Sequence, residues 1–225
     1  LFLRSRLGEL DALIRAAKER DYRFLSIAEF HDALANGRAL PERTLILRHD
    51  VDWDLRTARA MFDLERRHAI RASWYFRLAT VDRTLMRELA AAGHDVGYHF
   101  EELAELGKRH GAATTDELRA LVPRARAMFC ENLARVRRET GLPMPIVASH
   151  GDCLNRRLGV TNSVLIDAGV RARMNILAET YDELLQRPLT SRMSDCGGPK
   201  YWKPRDPRAA VENGDAVIYI LLHPN

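Results

Sequence analysis

The chain of 225 residues has few cysteines, few lysines and no long apolar run. Its three cysteines, Cys130, Cys153 and Cys196, are odd in number, far apart and in no metal-ligand spacing. That pattern excludes a disulfide framework and a cysteine-built zinc site, and it fits a reducing compartment. No stretch approaches the roughly 18 apolar residues of a membrane span. No basic-then-apolar leader opens the chain, which starts at Leu1, so a cytoplasmic location is expected. Only four of the 35 basic residues are lysine: Lys18, Lys108, Lys200 and Lys203. The arginines are scattered, and runs such as Arg135-Val136-Arg137-Arg138 fall in a helical pattern as a solvated face. Despite the net charge of +4, no nucleic-acid partner is expected. There is no phosphate-cradling glycine loop, no internal repeat and no Pro/Gly/Ser linker. One domain is expected over 1–225, with 1–43 as a helical N-terminal extension.

What is present is an ordinary soluble composition, 46% hydrophobic and 29% charged, with enough apolar mass for a large core. Residues 8–20 carry Leu10, Leu13, Ile14 and Ala17 at the spacing of an amphipathic helix. Ser26 followed by Glu29 reads as a capping box that opens a second helix, ending near Gly37. From residue 44 onward, short apolar runs alternate with helical patterns. Strands are expected at 44–49, 71–76, 95–99, 145–149, 170–176 and 216–222, with a seventh around 188–194. Helices are expected at 54–68, 82–92, 116–140, 161–168 and 207–213. This order predicts an α/β fold, a parallel sheet with helices packed outside it. Periodicity leaves open whether the sheet closes on itself.

The first long run, Leu45-Ile46-Leu47-Arg48-His49-Asp50-Val51-Asp52, ends in two carboxylates two residues apart. Residues i and i+2 of an extended segment point to the same side, so Asp50 and Asp52 face one pocket. Other expected strands end in imidazoles: His99 after Gly93-His94-Asp95-Val96-Gly97-Tyr98, His150 after Ser149, and His223 after Leu221-Leu222. Parallel strands bring their carboxyl ends to one rim, where α/β sheets bind ligands. A mixed set of imidazole and carboxylate suits Zn²⁺, with Co²⁺ or Ni²⁺ as alternatives. His49 should point away from Asp50 and pack, and His94 should lie at the opposite end of the sheet. Asp195, in Ser194-Asp195-Cys196-Gly197-Gly198, reads either as a carboxylate partner of His223 or as an Asx turn before the glycine pair.

Taken together, these segments resemble the NodB-homology polysaccharide deacetylases, over roughly residues 44–224. The resemblance implies a distorted (β/α) barrel of about seven parallel strands and a divalent metal used to hydrolyse N-acetyl groups on sugars. It implies that Asp50 is the general base, Asp52 and His99 are metal ligands, and His223 is the general acid. One position departs from the family pattern. Where a second metal histidine should follow His99 by four residues, this chain has Leu103. His150 is the replacement favoured here, with Glu101 and Glu102 as rivals. The family's Arg-x-Pro motif has no clear match, and 149–152 occupies its approximate place. The expected function is therefore metal-dependent N-deacetylation of an amino sugar. Its setting would be a surface polysaccharide such as lipopolysaccharide, or a precursor. The alternatives are an inactive sugar-binding protein on the same scaffold and a metal-dependent hydrolase of another C–N bond.

Overall fold

Eight consecutive buried residues, Thr44–Val51, form the strand at the centre of the sheet. In chain order the strands are β1 (Arg23–Phe24), β2 (Thr44–Val51), β3 (Ser73–Phe76), β4 (Asp95–Phe100) and β5 (Ile146–Ser149). They continue with β6 (Ala178–Glu179), β7 (Ser191–Asp195), β8 (Trp202–Lys203) and β9 (Val217–Leu222). The computed structural model describes residues 6–195 and 201–224. Among these, the sheet runs β6-β5-β4-β3-β2-β9-β7, all neighbours parallel. β8 adds an antiparallel edge to β7, and β1 pairs with the first residues of β2. β6 and β7 are not paired with one another, so the α/β barrel is open between them.

The helices Leu7–Glu19 and Ile27–Ala35 precede the long strands, and the second carries the predicted capping box of Ser26 and Glu29. Three expectations are corrected. The helix expected over 116–140 is two helices, Thr115–Ala120 and Val122–Thr140, the second with Pro123 in its first turn. Proline lacks the amide hydrogen and crowds the preceding turn, so a helix restarts there instead of continuing through. The strand expected at 170–176 is the helix Ala168–Met174. The carboxylate of Asp167 caps it by accepting the amide of Val170 at 2.8 Å, and Asn175 ends it at φ 49°. A short apolar run looks the same in either state, and here the cap decides. The helix expected at 161–168 is a single 3₁₀ turn, Asn162–Leu165. The helix Leu55–Arg67 starts just past the paired acids, capped by Asp54, whose carboxylate accepts from Arg56 and Thr57.

Strand parity divides the apolar residues into two cores. Leu45, Leu47, Val51, Trp74, Phe76 and Phe100 point outward and pack against the helices. Ile46, Tyr75, Ile146, Ala148, Tyr219 and Leu221 point into the barrel. Each such aliphatic or aromatic side chain gains about 1.5–3 kcal/mol from leaving water. The inner space is tight at Gly97, where a Cβ would sit 2.5 Å from the Ile146 carbonyl oxygen and from the Tyr75 ring. No helix among the described residues is long and apolar enough to cross a membrane.

Candidate active site

The inward parity of the strands continues past their apolar stretches into Arg48, Asp50 and Asp52 on β2 and the turn after it. It likewise carries His99 to the end of β4, and His150 and His223 just beyond β5 and β9. Register sets their level: Arg48 pairs with Leu221 and His99 with Ala148. The structure therefore brings Asp50, Asp52, His99, His150 and His223 to one rim.

One donor atom from each of Asp52, His99 and His150 lies within 4.8 Å of the other two. His99 is buried, and its Nδ1 donates to the Ala148 carbonyl at 3.0 Å, which leaves Nε2 as the nitrogen facing the site. Nε2 lies 3.6 Å from Asp52 Oδ1 and 3.4 Å from Asp50 Oδ2. Burial pushes the His99 pKa down to about 3, so the ring is neutral and its Nε2 lone pair is available. His150 Nε2 lies 3.7 Å from Asp52 Oδ2. Asp52 Oδ1 is buried and accepts no hydrogen bond among the described residues. Burial raises the Asp52 pKa above its ordinary value, outweighing the pull of His150 and His223. Two imidazoles and a carboxylate with an unsatisfied buried oxygen fit a divalent ion such as Zn²⁺.

Asp50 has a different environment. Arg48 grips it through two bonds, Nε to Oδ1 and Nη2 to Oδ2, each 2.7 Å. Arg48 is itself fully buried, and its Nη1 donates to Thr180 Oγ1 at 2.9 Å. Burial alone would push the Asp50 carboxyl up, and the Arg48 charge reverses this, holding the pKa below the usual carboxylate value. The motif alone assigns Arg48 no role. Its position two residues before Asp50 was the available signal, since it puts both side chains on one face.

His223 lies across the rim. Its Nδ1 donates to Asp195 Oδ1 at 2.5 Å, and its backbone amide donates to Asp195 Oδ2 at 2.7 Å. Burial lowers the pKa of the ring, but the bond to Asp195 outweighs it and the result is raised, favouring imidazolium. Of the two readings of Asp195, the carboxylate partner of His223 is the one with contacts. Cys196 and the Gly197–Gly198 pair lie outside the described residues.

The remaining candidates sort by their partners. Leu103 is fully buried in the outer core. Glu102 is also buried, accepting from the Tyr98 hydroxyl at 2.6 Å and Asn132 at 2.9 Å, away from the Asp52 group. Glu101 is held by Arg77 through two bonds of 2.8 and 2.7 Å. His49 faces the helices, with Nε2 2.6 Å from Glu65 Oε1 and its ring against Trp74. His94 accepts the Ala72 amide at the opposite end of β4.

The arrangement thus pairs four acids of the rim with cations: Asp50 with Arg48, Glu101 with Arg77, Asp152 with Lys108, Asp195 with His223. Among the described residues, Asp52 has no Arg or Lys ion pair and its buried Oδ1 accepts no hydrogen bond, whereas Glu102 and Glu179, which also lack a basic partner, are satisfied by amide and hydroxyl donors.

No protein-family model matches the chain, and no curated protein is similar to it in sequence. Solved structures do match it. The deacetylase PplD of Streptococcus pyogenes, solved in complex with acetate, superposes with a TM-score of 0.51 at 14% identity, over 97% of this chain and 82% of that one. The chain has the fold of this deacetylase. IcaB from Ammonifex degensii also gives a TM-score of 0.51, at 16% identity, over 78% of this chain and 77% of that one. The barrel implied by the short motifs is the barrel present.

Proposed function

We propose that the chain is a metal-dependent hydrolase that removes the acetyl group from the nitrogen of an amino sugar. The observation that carries this reading is the buried, unsatisfied carboxylate oxygen of Asp52 beside the neutral Nε2 face of His99, with His150 completing the set. A divalent ion bound there, Zn²⁺ before Co²⁺ or Ni²⁺, would supply Lewis acidity to the attacking water and to the acetamide oxygen. Asp50, kept ionised by Arg48, takes the proton from that water as general base. His223 delivers a proton to the departing nitrogen, which would otherwise leave as an amide anion. Because Nδ1–H is committed to Asp195, the delivered proton sits on Nε2. The shared fold of PplD supports the reaction class. The substrate class follows the motif resemblance: an N-acetylated sugar of a surface polysaccharide such as lipopolysaccharide, or its precursor.

The test is metal analysis of the purified protein together with amine release from N-acetylated saccharides. Asp50→Asn should keep the metal and lose about 10²–10⁴-fold in turnover, the usual scale of general-base catalysis. Asp52→Ala should lose both. Turnover retained in Asp50→Asn, or undiminished metal binding by Asp52→Ala, would overturn the assigned roles. A protein that takes up no zinc even after reconstitution, yet binds saccharide, would instead be a sugar-binding scaffold. The Arg48–Asp50 and Asp195–His223 pairs give such a binder no advantage.

A further inference from the structure

We propose that Glu101 is a positioning residue for His150, fixed in turn by Arg77, and that it selects the tautomer in which Nε2 of His150 faces Asp52. The inference rests on the metal-site reading above. With Leu103 buried in the core, the third donor comes from the turn after β5, where no helix holds it. The His150 backbone is anchored, its amide donating to the Phe100 carbonyl at 2.8 Å and its carbonyl accepting from Asn162 Nδ2 at 2.8 Å. The ring stands edge-on to His99, with centroids 5.2 Å apart at 88°. What remains to be set is which nitrogen carries the hydrogen.

Nε2 of His150 is the atom 3.7 Å from Asp52 Oδ2. Nδ1 is buried, has no hydrogen-bond partner at ordinary distance, and lies 3.5 Å from Glu101 Oε2. An ionised carboxylate only accepts, so Glu101 favours the Nδ1–H form and leaves the Nε2 lone pair free. Ligating imidazoles need this kind of partner on the other nitrogen, which fixes both ring orientation and tautomer. Glu101 can hold its place because Arg77 clamps both of its oxygens. The same clamp argues against Glu101 as a ligand, since the guanidinium stands where it opposes a second cation. Asp152, the other acid near His150, caps the helix Cys153–Leu158 through the Leu154 amide at 2.8 Å and pairs with Lys108. Glu101 is thus the acid in position to orient the ring.

The experiment uses the full chain. Nitrogen-15 spectra of the metal-free protein, under mildly alkaline conditions, report the His150 tautomer, and chelator competition reports zinc affinity. The wild type should show Nδ1–H, Glu101→Ala should move the ring towards Nε2–H, and zinc affinity should fall about 10–100-fold. Because Glu101 acts through His150, the double variant Glu101→Ala/His150→Ala should bind zinc no more weakly than His150→Ala. An unchanged tautomer in Glu101→Ala, or an additive loss in the double variant, overturns the proposal; additivity would make Glu101 a ligand itself. Should Glu101→Ala not fold, Glu101→Gln keeps the length with a weaker acceptor and should shift both readouts the same way by less. No shift in either overturns the proposal too. If the wild type binds no zinc, the metal-site reading fails, whereas the tautomer still decides the role of Glu101.

Discussion

Arg48→Met removes the cation that neutralises Asp50 and leaves a carboxylate buried inside the barrel. Arg48 side-chain exposure is 0% and that of Asp50 is 3%, so water cannot take over the lost contacts. The variant loses two charge-assisted bonds of 2.7 Å and the donor to Thr180, and the methionine offers nothing polar in return. Breaking one side of a buried ion pair costs about 3–5 kcal/mol, because the remaining charge is uncompensated. For a chain of this size that lowers the melting temperature by roughly 6–20 °C. The pH dependence carries a sign that can be worked out. In the wild type the folded Asp50 pKa is depressed by Arg48, so its contribution is full above the unfolded value of about 3.9 and fades as pH falls through the folded one. In the variant burial is opposed only by the smaller pull of His99 and His223, the folded pKa rises, and the penalty grows as pH rises through it. The deficit relative to wild type should therefore shrink on acidification towards the unfolded pKa. Urea denaturation of chelated protein across that range is the assay. The double variant Arg48→Met/Asp50→Leu, with both charges gone, should recover most of the loss. A single variant within about 1 kcal/mol of wild type, or a double variant as unstable as the single one, would refute the claim that the pair is electrostatically closed.

Two further outcomes are expected. Asp195→Ala leaves His223 with its burial and without its acceptor, so its pKa falls. The alkaline limb of turnover should then move to lower pH, because the imidazolium needed as acid persists only below that pKa; a pH–rate profile with an unmoved limb would contradict the role of His223. Leu103→His places an imidazole in the outer core, where Leu103 has no exposure. It should destabilise by about 1–3 kcal/mol without raising zinc affinity, and tighter zinc binding in chelator competition would show that the site still has room for the family's second histidine.

Much of this rim was legible from strand parity alone. Asp50 and Asp52 share a face by spacing, and His99, His150 and His223 follow from each ending a strand in a parallel sheet. Leu103, where the family's second motif has its further metal histidine, points to His150 as the replacement, and the fold places that ring beside Asp52 and His99. Legibility failed where a decision depended on contacts distant in sequence. Nothing local says that Arg77 and Glu101 meet across 24 residues, or that Thr180 reaches Arg48 across 132. Nor does an apolar run such as 170–176 say whether it is helix or strand until Asp167 is seen to cap it. The extent of the sheet was also hidden, because β1, β6 and β8 are two residues each and carry no periodicity.

The pattern of compensation around the rim says more than the presence of the acids. Had every carboxylate been free, a cluster this dense would bind cations with little discrimination and repel the negative charge that builds up on an acyl oxygen during hydrolysis. Instead, Arg48 and Arg77 each neutralise an acid by a bidentate clamp, which also freezes the carboxylate's orientation. Lys108 and His223 neutralise two more. One carboxylate and two imidazole ligands contribute a single negative charge when they bind a metal, so a divalent ion held by them would keep one net positive charge. That is the polarity which favours developing negative charge in a site partly shielded from water. The two arginine clamps thus have a joint electrostatic consequence: they leave the Asp52 carboxylate without a basic partner, so that a cation seated there would lower the energy and the positive surplus needed by the proposed acyl transfer would be preserved.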